Sequence, residues 1–410
     1  MTTTKNNEHK KLNFSSEREQ SQACLNSAEH EKNQGRKVLN VPNLRFPEFQ
    51  GEWEYFLIND VCSEFKSGKN IKADSVFECG EYPVYGGNGL RGYTSSYNHE
   101  GSYVLIGRQG ALCGNVRSVY GKTYITEHAI AVAGNEKSNT NFLHYLFLKM
   151  NLGQYSDQSA QPGLAVNKLL KLKVALPIIS EQTKIAKLLS LLDERIATQN
   201  KIIDKLQSLI KGINQRVFMN NGINYKLGEV CEIRSGYSGN QLLSKKGLKV
   251  SRIETISGHK VNLERVGYVA PFESSENYKL QVGDILFSNI NSVEYIGNTA
   301  FIDKDYDLYH GMNLLRLTPN NMVVIPFYLY LLLNTNRMLN RFKTVCNKAV
   351  SQASINQTEL GKTVVQIPDI NAQKQICELY QALYDKLESE KYANSLFQKQ
   401  KQYLLRQMFI

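Results

Sequence analysis

The residues whose types and spacing touch on catalysis are three glycine patterns, one histidine and a set of scattered cysteines in a chain of 410 residues. Gly87, Gly89 and Gly92 fit GxGxxG. In a dinucleotide site such glycines open a helix whose N-terminus faces the pyrophosphate. Here GYTSSYNHEG follows, a turn- and strand-like run, so cofactor binding is rejected. Gly121-Lys122-Thr123 and Gly361-Lys362-Thr363 resemble the end of a P-loop. Val116 and Asn356 stand where its first glycine belongs, and no helical run follows either. His128 lies beside Glu127 in the strand-like ITEHAI. Two readings stay open for it: a hydrogen-bonded interior residue, or a contact to a base or phosphate. The 7 cysteines (24, 62, 79, 113, 231, 346, 377) form no CxxC and lack histidines at ligand spacing. They read as reduced thiols, neither metal ligands nor disulfides. NPPY, DPPY, HExxH and GxSxG are absent from the sequence. No catalytic, cofactor-binding or metal-binding residue is assigned.

A different chemistry gathers in glycine-containing loops. YGGNGLRGY carries Tyr85, Asn88, Arg91 and Tyr93, and GRQG carries Arg108 and Gln109. Gln161 lies in QSAQPG, Arg234 and Tyr237 in RSGYSGNQ, and Arg252 in SRIE. SNINS holds Asn289, Asn291 and Ser292, and YHGMN holds His310. Arginine pairs bidentately with guanine O6 and N7, asparagine or glutamine with adenine N6 and N7, and glycine lets backbone approach phosphate. Any one of these loops reads equally well as a solvent-facing turn. Their number, with a net charge of +11, makes the set a candidate DNA-reading surface.

Such loops need elements to position them. From Ile185 to Val217, residues spaced alternately four and three apart are Ile185, Leu189, Leu192, Ile196, Gln199, Ile203, Leu206, Ile210, Ile213 and Val217. All but Gln199 are aliphatic, the pattern of a coiled-coil seam. At about 1.5 Å per residue this helix is roughly 50 Å long. Its partner is in the same chain. Moving each seam position on by 191 (376 − 185) gives Ile376, Tyr380, Leu383, Leu387, Glu390, Asn394, Phe397, Lys401, Leu404 and Met408. The segments entering the two helices also match, with Pro177 over Pro368 and Gln182 over Gln373, and Ser180 and Asn371 at the expected N-caps. Gln199 and Glu390 form a polar pair inside the seam, which costs stability and can fix register.

The rest of the chain repeats as well. INDVCSEFKSG matches LGEVCEIRSG, FLHYLFLKMN matches FYLYLLLNTN, and SAQPGLAVN is echoed by AVSQASIN. Between these anchors the interiors differ. Residues 1 to about 40 are polar and almost free of large apolar side chains, as in a disordered extension. Hydrophobic content of 42% and charged content of 21% are those of a globular protein. No run of 18 apolar residues and no apolar leader is present, so a cytoplasmic location is expected.

The pattern resembles the specificity subunit of type I restriction–modification systems. The resemblance covers roughly residues 41 to 410. It rests on VPNLRFPEFQGEW, YGGNGLRGY, GRQGALCGN, GDILFSNINS and, most specifically, PIISEQTKIAKLLSLLDERI with its second copy. It implies an α+β fold of two similar target-recognition lobes separated by a long antiparallel two-helix coiled coil, a pseudo-two-fold duplication. The implied divisions are the extension (1–40), lobe one (41–178), helix one (179–220), lobe two (221–369) and helix two (370–410). A noncatalytic reader of bipartite double-stranded DNA is implied, in which the rod sets the distance between lobes. Two modification subunits carrying S-adenosylmethionine, and restriction subunits using ATP and Mg, are the implied partners, with no cofactor in this chain. The rod's seam residues Ile185, Leu189, Leu192, Ile196, Ile203, Leu206, Leu383, Leu387, Phe397 and Leu404 are assigned to the subunit interface, with docking on its outer face. The sequence departs from the family in its extension and in Glu390, Asn394 and Lys401 of the second seam. Another class, a pseudo-symmetric scaffold binding protein or glycan, is the competing reading.

Overall fold

A computed structural model describes residues 39–157, 162–218, 222–348 and 352–410. Most of the expected extension, Cys24 and Gln161 lie outside the described residues. The chain divides into two units, Met1–Arg195 with Phe397–Ile410, and Ile196–Leu396.

In the first unit β1 (Glu54–Leu57) enters a one-turn helix α1 (Ile58–Val61). Then come β2 (Cys62–Ser67), β3 (Tyr82–Gly86), β4 (Gly89–Thr94), β5 (His99–Gly107), β6 (Val116–Ile125) and β7 (Ala129–Gly134). Helices α2 (Thr140–Met150) and α3 (Val166–Leu169), strand β8 (Lys173–Leu176) and the start of α4 (Ile179–Val217) complete it. Six strands form one sheet in the order β2-β7-β5-β6-β3-β4, with only β3 and β6 parallel. Successive side chains on a strand face opposite ways. Val104 and Ile106 of β5 accordingly enter the main core, while Leu105 enters a second cluster with Val119 and Ile125. Helix α2 covers the main core with Phe142, Leu143, Leu146 and Phe147. The Asn139 side chain caps it, accepting from the backbone N–H of Asn141 (2.9 Å) and Phe142 (3.1 Å). Trp53 lies edge-on to Phe142 and Phe409. Arg45 makes a bidentate pair with the buried Glu181 (2.8 and 2.7 Å).

The second unit repeats this frame. β9 (Ile223–Lys226) enters a one-turn helix α5 (Leu227–Val230) and then β10 (Cys231–Ser235). β11 (Leu248–Val250), β12 (Gly267–Val269), β13 (Ile285–Phe287), β14 (Ile290–Asn291), β15 (Thr299–Phe301) and β16 (Leu315–Pro319) follow. Then come α6 (Pro326–Leu333), α7 (Asn336–Val345), β17 (Asn347–Lys348), β18 (Ala353–Ser354), α8 (Gln357–Gly361), β19 (Val364–Ile367) and α9 (Ile370–Gln407). β19 pairs antiparallel with β9 as β8 does with β1. The contents differ: the main sheet here has four strands, β10-β16-β13-β15. One face packs Ile285, Phe287, Leu315 and Leu317 under α6 and α7. The other packs Leu286 and Ala300 with Ile256, Leu280 and Leu308.

The duplicated glutamines explain why both helices start where they do. Gln182 and Gln373 are both 0% exposed. Gln182 donates to the carbonyls of Pro177 (2.8 Å) and Lys137 (2.9 Å) and accepts from the N–H of Asn139 (2.8 Å). Gln373 donates to Pro368 (2.9 Å) and Val323 (3.1 Å) and accepts from Ile325 (2.8 Å). Each amide ties the end of the frame strand to the segment that begins the covering helix. The N-cap expectation is corrected. Ser180 and Asn371 lie inside the first turns. Asp369 caps α9, its Oδ1 accepting from the N–H of Asn371 and Ala372 (both 3.0 Å). Ile178, with no polar side chain, precedes α4.

Within each unit the two long helices run antiparallel. In the second, Asn394 donates to Asn200 (2.9 Å), and Tyr380 donates to Asn214. Gln199 meets Glu390 there, donating to its backbone carbonyl (3.2 Å) and to its carboxylate, which Lys386 also holds (2.6 Å). In the first unit, Lys401 bonds Asp193 and the Arg195 guanidinium lies over the Phe397 ring. The polar positions of the second seam thus have polar partners on the facing helix. The seam assignment to a subunit interface is corrected in one respect. Ile185, Leu189 and Leu404 belong to the first unit's core, with Leu192 packed against it. Leu387 is buried with Ile203, Leu206 and Leu383 against it in a cluster of the second unit. Ile196 and Phe397 are half-buried. These side chains hold this chain's own helices together, because an apolar stripe at 3.5-residue spacing is covered by the helix facing it.

Candidate nucleic-acid interface

In the first unit the turn between β3 and β4, the GRQG loop after β5 and the residue before β7 meet at one end of the sheet. The GRQG loop is fixed by its backbone: Arg108 donates to the His128 carbonyl (2.9 Å) and accepts from Leu164 (2.9 Å), and Gly110 donates to Pro162 (3.0 Å). The turn packs close, since a Cβ on Gly87 would lie 2.7 Å from the His128 carbonyl oxygen. Only glycine permits that approach. The outcome is an open hollow of about 280 Å³ lined by Gly86, Gly87, Asn88, Arg91, Gln109, Gly110 and His128. His128 Nδ1 lies 3.3 Å from Gln109 Oε1, and its ring is half-exposed beside Glu127 (3.2 Å). The histidine is therefore at the hollow, not in the interior. Guanidinium, carboxamide and imidazole groups converge in a cleft open to solvent, able to meet a base edge without unfolding anything.

Tyr85 and Tyr93 do not line the hollow. Tyr85 is half-buried against the second apolar cluster, which holds Val119 and Ile125, and its carbonyl accepts from Thr126 (2.9 Å). Tyr93 pairs through its backbone with Phe77 (2.8 Å both ways). Arg117 sits in a strand, not a glycine loop, so its residue type carries no loop signal in the sequence. It is exposed, and a Cβ on Gly89 would lie 3.0 Å from its guanidinium carbon.

The second unit divides its predicted residues between two places. RSGYSGNQ, SRIE and YHGMN converge through backbone contacts: Tyr237 donates to the His310 carbonyl (2.9 Å), and Ser251 to Tyr309 (2.8 Å). A Cβ on Gly236 would lie 1.9 Å from the Gly311 carbonyl oxygen, so glycine is required there. Arg234 and His310 line a polar hollow of about 460 Å³ with Ser235, Ser274, Asn277, Tyr278, Arg316 and Gln357. Tyr237 stacks on Phe272 (centroids 3.9 Å apart, planes within 8°) and is edge-on to Tyr278. Arg252 is exposed, 3.5 Å from Glu254. SNINS lies elsewhere. Asn291 bonds Ser288 (3.0 Å) in a smaller hollow, Asn289 accepts from Ile355 through its carbonyl (2.9 Å), and Ser292 is exposed.

His310 corrects the sequence reading. It is 1% exposed, and its Nε2 donates to the Leu314 carbonyl (3.0 Å). Burial pushes its pKa down to about 4, the carbonyl bond opposing and the Arg316 charge assisting. It packs the hollow's wall as a neutral ring. His144 in the first unit is likewise pushed down to about 4, by burial and then by the charge of Lys401, against Asp193. A histidine with a depressed folded pKa binds fewer protons folded than unfolded. Its contribution is fully present above the unfolded value near 6.5 and is lost as pH falls toward 4. Each ring accounts for about 3 kcal/mol over that window. Urea unfolding at pH 7 and pH 4.5 should show this acid loss, reduced in His310→Gln; equal slopes in wild type and variant would contradict it.

Two lobes built on one frame, each with its own polar hollow, define a duplicated two-lobed protein. The chain belongs to the family of the Type I restriction modification DNA specificity domain, which matches residues 50–208 and 222–395, one copy in each half. It is similar to the Type I restriction enzyme EcoprrI specificity subunit of Escherichia coli, 42% identical over 154 residues (37% of this chain, 38% of that protein). It is also similar to the Putative type I restriction enzyme MjaX specificity subunit of Methanocaldococcus jannaschii, 42% identical over 158 residues (38% and 37%). These matches span little more than a third of the length of either relative. The fold resembles the crystal structure of the S subunit of a type I restriction–modification system from M. genitalium, with a TM-score of 0.64 at 17% identity over 90% of this chain and 99% of that one. No described helix is long and apolar enough to cross a membrane.

Proposed function

We propose that this chain is the noncatalytic DNA-specificity subunit of a type I restriction–modification complex. It reads a bipartite duplex site, one half-site per lobe, and directs adenine methylation or restriction by partner subunits. The observation that carries the reading is the family's separate match to both halves of the chain. The hollow of Asn88, Arg91, Gln109 and His128 supports it, because it offers donors and acceptors suited to base edges. A net charge of +11 supplies phosphate attraction that falls with salt. S-adenosylmethionine belongs to two modification subunits, and ATP and Mg to restriction subunits. The modification subunits dock on the outward side of the helices, where Ile202, Leu209, Leu379 and Leu396 are exposed.

Sequencing of methylated adenines in cells with and without this gene reports the site directly. Exchanging residues 46–177 for the lobe of another family member should change one half-site and leave the other intact. A change in both halves, or no split motif at all, would overturn the reading.

A further inference from the structure

The second lobe contains a charge arrangement that its own residues do not neutralise. Arg234 of β10 and Arg316 of β16 are directly opposite in the antiparallel register, and Leu286 of β13 flanks Arg316 on the other side. Like charges directly opposite on paired strands repel and destabilise. Arg316 is only 7% exposed. Its two terminal nitrogens donate to the carbonyls of Lys279 and Asn277 (both 3.2 Å), and its Nε is buried without a partner. Among the described residues no carboxylate lies within ion-pair distance of it. Arg234 is held at Nε by Glu232 (2.6 Å), a pair about half-exposed on both sides. Of the two guanidiniums, only Arg234 therefore has a carboxylate partner.

Carbonyl dipoles orient Arg316 but leave its unit charge, and a buried unpaired charge is costly. Both guanidiniums line the same hollow of about 460 Å³, whose remaining lining is neutral and polar: Ser235, Asn277, Tyr278 and the uncharged His310 among them. A neutral base edge would satisfy donors but not the charge. An anion does both, and arginine forks match phosphate oxygens in geometry.

We infer that the Arg234–Arg316 hollow is a phosphate-binding site, occupied by a phosphodiester of the DNA backbone and anchoring the second lobe independently of sequence. The anion chemistry stands on the charges alone; its source in DNA rests on the function proposed above.

The test uses the full chain and Arg316→Gln, with Arg316→Lys to retain charge. Inorganic phosphate replacing chloride at matched ionic strength should raise the melting temperature of the wild type by more than that of Arg316→Gln, since the general salting effect of phosphate acts on both alike. An equal rise in both proteins, or none in the wild type, overturns the site. Duplex binding is then titrated against salt, with and without the recognised sequence. Removing one phosphate contact should lower the slope of log K against log salt by about 0.9 for both duplexes. Arg316→Lys should keep the wild-type slope. An unchanged slope in Arg316→Gln, or a loss confined to one base pair, overturns the backbone contact. Should Arg316→Gln fail to fold, the half-exposed Arg234→Gln carries the same slope expectation. A wild type that is protected by phosphate but binds no duplex would remove the DNA source and the proposed function while leaving the anion site intact.

Discussion

Replacing Gln373 with alanine is expected to destabilise the second lobe by about 3 kcal/mol or more, and Gln182→Ala the first lobe equally. Each side chain is fully buried and makes three hydrogen bonds to backbone groups. Truncation leaves the N–H of Ile325 or Asn139 and two carbonyls without their partner. Each buried orphan costs about 1–3 kcal/mol, reduced where water can enter the vacated space. Glutamate is no rescue: its carboxylate accepts from the N–H but faces two carbonyls that also only accept. The variants can be compared by chemical denaturation followed by hydrogen exchange. The loss should localise to residues 323–325 and 368–373 for Gln373→Ala, and to 137–139 and 177–182 for Gln182→Ala. A change below 1 kcal/mol would show that these amides are not what joins helix start to frame.

Truncating the first hollow should separate affinity from specificity. Arg91→Ala and Gln109→Ala remove groups that line the hollow without entering the core. Folding stability should change by less than about 0.5 kcal/mol, as for other surface substitutions. Binding to the recognised duplex should fall by about 1–3 kcal/mol, a factor of roughly 5 to 150, with discrimination lost at one base position of one half-site. Binding to unrelated duplexes should change little. Competition gel shifts against single-base variants of the site measure this. Equal weakening on every sequence would make these side chains phosphate contacts. No weakening on any would place base reading elsewhere in the lobe.

Much of the architecture is legible in residue order. The two long helices follow from apolar residues at 3.5-residue spacing, a local pattern that forces one stripe toward a partner. The duplication follows from matched anchors such as Pro177 with Pro368 and Gln182 with Gln373, and the frames containing these anchors do repeat. The first hollow is partly legible, because glycine-rich turns bearing Arg, Asn and Gln announce exposed polar groups. Asn88, Arg91 and Gln109 reach it by that signal alone.

What the sequence cannot specify is which of two faces a strand residue takes and what lies across from it. Arg316 sits in LLRLT, which reads as an interior strand; only the register with β10 puts it opposite Arg234. His310 belongs to a loop of the same vocabulary as Asn88, yet loop packing over Gly311 buries it, so its ring donates to a carbonyl instead of meeting solvent. His128 shows the reverse, a strand-like residue left at the surface because the turn at Gly87 packs on its backbone. Periodicity and repeats are properties of neighbours along the chain, so they determined the helices and the duplicated frame. Charge pairing and burial depend on residues distant in sequence, so only the tertiary structure decided which arginines and histidines face the hollows.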